Sequence, residues 1–149
     1  MEKIVEMISR ERVKILESSD KDAALLEMID LLATSDNITN RDELEHMIYE
    51  RENILSTSIG LGIAIPHVRL DSVKEMTIAV GVCRKGINYR SFDDNPVFLI
   101  IMIASPTGTH RQYLSVLAKI ALLLKNETLR NNLNNAVDEN EIYSLLKGQ

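Results

Sequence analysis

Two histidines stand where an apolar stretch of the chain gives out. His67 follows Ile63-Ala64-Ile65-Pro66, and His110 follows the run from Val97 to Ala104 and the polar segment Ser105-Pro106-Thr107-Gly108-Thr109. Apolar runs of this kind read as buried strands, and a proline, which has no N–H for a sheet ladder, marks where the first should stop. His67 is therefore expected at a strand tip, with both imidazoles on one rim of a sheet. Imidazole is largely neutral and nucleophilic near pH 7 without tuning, so the position suits covalent catalysis. Gly60 and Gly62 lack a Cβ and would let backbone N–H groups approach an anion closely. Each residue also has a plainer reading. His67 could be a packed histidine, His110 a polar residue in the first turn of a helix, Arg51 a helix-end cation complementing the dipole, and Thr57 a loop hydroxyl.

Rival chemistries fit the spacing poorly. His46, His67 and His110 lie far apart and show no His-x-x-x-His or Cys-x-x-Cys pairing, so a metal site is not indicated. No Gly-x-Ser-x-Gly elbow is present, and Gly60-Leu61-Gly62 lacks the Lys-Ser/Thr of a nucleotide-binding loop. His46, beside Glu45 on the outer side of its expected helix, reads as a surface residue, and Asp93-Asp94 as a solvated loop pair.

The longer string decides among these readings. Arg51-Glu52, then Ser56-Thr57-Ser58-Ile59-Gly60 and Gly62-Ile63-Ala64-Ile65-Pro66-His67, resembles the active-site signature of the IIA domains of the bacterial sugar phosphotransferase system, in the fructose/mannitol and nitrogen-regulatory family. Thr107-Gly108-Thr109-His110 and Leu114-Ser115-Val116-Leu117-Ala118-Lys119 resemble a second region of that family. The resemblance covers roughly the whole chain, more loosely at its ends, with Val68 standing where small residues such as glycine are common in relatives. It implies a phosphohistidine carrier: His67 as the phosphorylated nucleophile, His110 as the residue that positions or stabilises the phosphohistidine, Arg51 as a phosphate clamp and Thr57 as a hydroxyl donor. It further implies HPr or a nitrogen-branch paralogue as phosphoryl donor, and either a IIB domain or regulatory target proteins downstream. No cofactor or metal is expected, because a transfer between two nitrogens already at high phosphoryl potential needs none.

Positioning these groups calls for a sheet with helices around it. A short helix over Ile4 to Ile8 and an edge strand through Val13 and Ile15 are expected first. Ser19-Asp20 reads as a helix cap before the stripe Leu25, Met28, Ile29 and Leu32. Thr39 or Asn40 caps a second helix through Leu44, Met47 and Ile48, ending near Arg51. After His67 a loop through Asp71 is expected, then alternating Met76, Ile78, Val80 and Val82 as a strand, a turn at Lys85-Gly86-Ile87-Asn88, and a polar connection from Tyr89 to Asn95. Val97 to Ala104, continuously apolar, predicts a central strand buried on both faces. Thr107 or Thr109 should cap the helix carrying Leu114, Leu117, Ile120, Ala121 and Leu124. Leu129 and Leu133, then Ile142, Leu145 and Leu146, predict two short closing helices. The sum is an α/β chain, a single domain over 1–149 with a mixed β-sheet flanked by helices on both faces, which the resemblance also implies.

Composition narrows the partners. With 149 residues, 45% hydrophobic and 26% charged, the chain can bury a full core. Its net charge of −5 and 4% aromatic content argue against nucleic acid as a partner. The longest apolar run falls well short of the roughly 18 residues a membrane helix needs, so no membrane insertion is expected. The charged start Met1-Glu2-Lys3-Ile4-Val5-Glu6 lacks an export signal, and the one cysteine, Cys83, has no partner, so a cytoplasmic location is expected. Cys83 itself sits in an alternating strand pattern and reads as packing rather than as a reactive thiol.

Overall fold

A computed structural model describes residues 4–149; the opening Met1-Glu2-Lys3 of the sequence reading lies outside them. A short 3-10 turn at Ile4–Met7 leads into β1 (Ile8–Ile15), and helices α1 (Lys21–Leu32) and α2 (Arg41–Ile54) follow. Their caps are the expected ones. Asp20 accepts from the Ala23 amide at 2.8 Å and Asn40 from the Glu43 amide at 3.1 Å, each satisfying one of the unpaired donors of a first turn.

The chain then enters the sheet through three short strands, β2 (Ser58–Gly60), β3 (Ile63–Ala64) and β4 (His67–Arg69), before the long β5 (Thr77–Ile87) and β6 (Val97–Ser105). The strand order is β1-β5-β6-β3-β2, with β4 also on β6; β5 runs antiparallel to β6, whereas β3 and β4 run parallel to it. α3 (His110–Leu123), α4 (Glu127–Asn134) and α5 (Glu139–Lys147) complete the chain. The sheet is mixed and has helices on both faces, as the sequence predicts.

Alternation along β6 shows which helices cover which face. Leu99, Ile101 and Ile103 join Tyr113, Val116, Ile120 and the buried leucines of α4 and α5 in one core. Ile100, Met102 and Ala104 join Leu25, Met28, Ile29, Leu44 and Ile48 of α1 and α2 in the other. A strand buried on both faces is apolar almost throughout, as β6 is from Val97 to Ala104.

Two strand boundaries differ from the sequence reading. β3 ends at Ala64, just short of the expected stop at Pro66, and the segment from His67 is not a loop but β4. Ile63 pairs with Leu99 and Ala64 with Ile100, and beyond the proline His67 pairs with Ile103 and Val68 with Ala104, so the register is the same on both sides. Pro66 removes a donor but keeps its acceptor, and its carbonyl takes the Ile103 amide at 2.9 Å. Val68, the departure noted in the sequence, is a buried strand residue facing α1 and α2. In the same way β5 runs through the turn expected at Lys85-Gly86-Ile87-Asn88. A register shift between Val82 and Ile87 absorbs it, with Gly86 at φ +73°.

Candidate functional site

His67 opens β4 half-buried, on the face covered by α3. Its Nδ1 lies 2.6 Å from the Ile65 carbonyl oxygen. A carbonyl can only accept, so the bond places the imidazole proton on Nδ1 and leaves the lone pair on Nε2. The carbonyl is itself held: the Ile65 amide donates to the Thr57 carbonyl at 3.0 Å, and the Thr57 amide donates to Glu52 Oε1 at 2.9 Å. The orientation of the ring is thus set by the backbone on one side.

On the other side is a cleft of about 490 Å³ between the end of α2, the 54–59 segment and α3; its lining includes His67, Arg51, Ile54, Leu55, Ile59 and Leu117. Its rim is apolar and open to solvent, with Ile54 78% and Leu55 76% exposed. Exposed apolar groups clustered in this way are of the kind that mark interaction sites.

His110 is the first residue of α3, exposed, and its Nδ1 lies 2.9 Å from Arg69 Nη1. Arg69 is two residues beyond His67 on the same strand, hence on the same face. Its guanidinium lies over the Tyr113 ring, 5.3 Å from the centroid, and that ring lies 5.7 Å from the His67 ring. The two histidines therefore share one face and one end of the sheet, with Tyr113 and Arg69 between them. Burial pushes the Tyr113 phenol above its ordinary value, and the charges of Arg51 and Arg69 oppose that shift, so both cations bear on this spot. Among the described residues neither Arg51 nor Arg69 has a carboxylate partner.

The N-terminus of α3 faces this end of the sheet without a side-chain cap. Thr109 occupies the cap position, but its hydroxyl donates to the Pro106 carbonyl at 2.8 Å instead of to the helix. Thr107 is not the cap either; its hydroxyl bonds Asp71 just past β4 and ties this loop to the strand that carries His67.

Thr57 departs from its expected role. Its hydroxyl donates to Glu52 Oε2 at 2.7 Å, and Tyr89 Oη lies 3.0 Å from the Thr57 hydroxyl oxygen, so the proton is committed away from the imidazole. The sequence reading missed the reason. Glu52 is a buried carboxylate, its side chain 3% exposed, that also takes the Lys21 ammonium at 3.0 Å, and it anchors the wall of the cleft.

Gly60 and Gly62 are not beside the imidazole. With Leu61 they turn the chain between β2 and β3, all three at φ between +61° and +83°, at the end of β3 away from His67. A Cβ on Gly60 would sit 3.2 Å from the Phe92 ring and one on Gly62 3.3 Å from Phe98, so the glycines serve the turn and its packing.

Of the remaining candidates, His46 is exposed and lies 3.2 Å from Glu50 one turn on, and Asp93 caps its own loop by accepting from the Asn95 amide at 3.1 Å. Cys83 is buried, and burial pushes its thiol up to about 12. Among the described residues no three His, Cys, Asp or Glu side chains converge as metal ligands would, and no helix is long and apolar enough to cross a membrane.

A sequence profile of the phosphoenolpyruvate-dependent sugar phosphotransferase system, EIIA 2, matches residues 6–149. The chain belongs to this family. As an EIIA type 2 chain it has relatives among both sugar-specific and nitrogen regulatory proteins. It is 34% identical over 145 residues to the PTS system fructose-specific EIIABC component of Bacillus subtilis, covering 97% of this chain but only 23% of that much longer protein. It is 29% identical over 146 residues to a nitrogen regulatory protein of Bradyrhizobium diazoefficiens, covering 96% of this chain and 94% of the relative. Among solved structures, nitrogen regulatory protein IIA-Ntr of Neisseria meningitidis superposes with a TM-score of 0.87 at 26% identity, over 96% of this chain and 98% of the other. IIA mannitol of Escherichia coli, at 21% identity and TM-score 0.79 over 93% and 98% of the chains, shows the same fold.

Proposed function

We propose that this EIIA protein carries a phosphoryl group on Nε2 of His67. The observation that supports it most is the bond from His67 Nδ1 to the Ile65 carbonyl, which leaves the Nε2 lone pair as the nucleophile at the edge of an open cleft. The donor is HPr or a nitrogen-branch paralogue bearing a phosphohistidine. The Nε2 lone pair forms the new N–P bond as the donor's N–P bond breaks, and that electron pair returns to the donor imidazole. Negative charge on the phosphoryl oxygens is met by Arg51, by a hydrogen bond from His110 and by the uncapped start of α3. Thr57 acts through the wall it holds. The rim residues Ile54, Leu55 and Ile59 dock the partner and exclude water, which would otherwise hydrolyse the adduct.

Onward transfer breaks the same bond in favour of a IIB cysteine or histidine, serving sugar uptake of the fructose/mannitol type in the cytoplasm. A protein of the same fold, IIA mannitol of Escherichia coli, has been solved in complex with phosphorylated IIB mannitol, which supports a IIB acceptor. The likeness to nitrogen regulatory proteins over nearly their full length favours a second reading, in which phosphorylation at His67 switches binding to a regulatory target with no transfer to sugar.

Incubation with phosphoenolpyruvate, enzyme I and HPr should place acid-labile phosphate on His67 and none on the His67→Ala variant. Absence of label, or label on serine or lysine, would overturn the carrier reading. Chasing the labelled protein with a fructose-type IIB domain, or using it as bait with and without phosphate, separates transport from regulation.

A further inference from the structure

The site holds a cation that the reaction as described does not use. Arg69 points a guanidinium N–H at His110 Nδ1, 2.9 Å away, from a strand position two residues past the nucleophile. A guanidinium has only donors, so His110 must accept at Nδ1 and carry its proton on Nε2. Without Arg69 an exposed imidazole would populate both tautomers, and in one of them Nε2 would be an acceptor that repels phosphoryl oxygen. Arg69 is well placed to impose the choice. It is half-buried, its backbone is fixed by pairing with Ser105, its guanidinium rests on Tyr113, and among the described residues no carboxylate competes for it.

We propose that Arg69 is a positioning residue for phosphoryl transfer, setting the His110 tautomer so that Nε2–H is always available as a donor beside the phosphorylated imidazole. The proposal rests on the reading of His67 as phosphoryl acceptor, but its first test does not.

Nitrogen-15 NMR of the unphosphorylated protein should show His110 as the Nε2–H tautomer, and Arg69→Met, which keeps a stem to cover Tyr113, should convert it to a mixture. A wild-type His110 already in the Nδ1–H form, or a tautomer unchanged in R69M, overturns the proposal. The second test is a double-mutant cycle on the rate of phosphoryl uptake from phosphorylated HPr. R69M should slow uptake about twofold to fivefold, because in a mixture of tautomers only the fraction of His110 carrying Nε2–H is competent. In a His110→Ala background the same change should have little further effect. An equal loss in both backgrounds would mean that Arg69 acts independently of His110, against the proposal. If the wild-type protein took up no phosphoryl group, the carrier reading and with it the role of Arg69 in transfer would fall, while the NMR result would still decide whether Arg69 sets the His110 tautomer.

Discussion

Replacing Lys21 by methionine should destabilise the protein far more than removal of a surface lysine would. Lys21 Nζ lies 3.0 Å from Glu52 Oε1, with the two side chains 16% and 3% exposed. Glu52 has two other donors, the amide and hydroxyl of Thr57 at 2.9 and 2.7 Å, both neutral. Taking away the ammonium therefore leaves a buried carboxylate without a counter-charge, which costs about 3–5 kcal/mol. The ammonium also lies 4.4 Å from the centroid of Tyr89, adding roughly 0.5–1 kcal/mol. A loss of about 4 kcal/mol is a large part of the roughly 5–15 kcal/mol expected for a domain. Urea unfolding at pH 7 would show it as a lower midpoint at unchanged slope. Neutralising both partners, in Lys21→Met/Glu52→Gln, should recover part of the loss, because no uncompensated charge remains. A fall below about 1 kcal/mol in the single variant, the range of exposed pairs, would refute the claim that this pair is shielded from water.

Other expectations are as concrete. His67→Ala should abolish phosphoryl uptake, and His110→Ala should slow it by about a hundredfold, measured with labelled phosphoenolpyruvate. Leu55→Asp, on the exposed rim, should weaken donor docking and raise KM at least about tenfold with little change in kcat, since the residue is not at the reacting atoms. Gly81→Ala should cost about 1–3 kcal/mol in urea unfolding, because a Cβ there meets Met28 Sδ and comes within 2.9 Å of Leu16 Cδ1. Cys83 keeps its proton in the folded state up to about 12, whereas the unfolded thiol loses it near ~8.5. Between those values the unfolded state binds fewer protons, so this group lowers stability as pH rises, by at most ~1.4 kcal/mol per pH unit. Comparing urea midpoints at pH 7.5 and 10 for wild type and Cys83→Ala checks the sign.

The α/β architecture was legible because its signals are local. Asp20 and Asn40 cap helices whose apolar stripes have the period of a helix, and Val97 to Ala104 is apolar throughout because helices cover it on both sides. His67 and His110 were found from their places after apolar runs, and the structure brings them to one face. What escaped the reading was non-local. Pro66 does interrupt the strand, but nothing local to it reveals that the chain rejoins β6 as β4 in the same register. Once the segment after Pro66 was read as a loop, the two-residue spacing of His67 and Arg69 carried no meaning, and Arg69 was overlooked. Glu52 was visible only as a neighbour of Arg51, since nothing local to a helix end reveals that a carboxylate points inward to meet Thr57 and Lys21 from other elements. The glycines at 60 and 62 were given to an anion because their need for positive φ and for the rings of Phe92 and Phe98 arises from partners some thirty residues away in sequence.

The register that β3 and β4 keep across Pro66 has a consequence for the proposed carrier. If His67 carries the phosphoryl group as proposed, β6 holds the main chain on both sides of Pro66, so the backbone offers no hinge there to swing the ring from one partner toward another. Donor and acceptor must each travel to the same fixed post and present their reactive atoms along the same line, which means that their faces resemble one another more than their folds need to. The traffic can then run either way, its direction set by which loaded partner is more abundant.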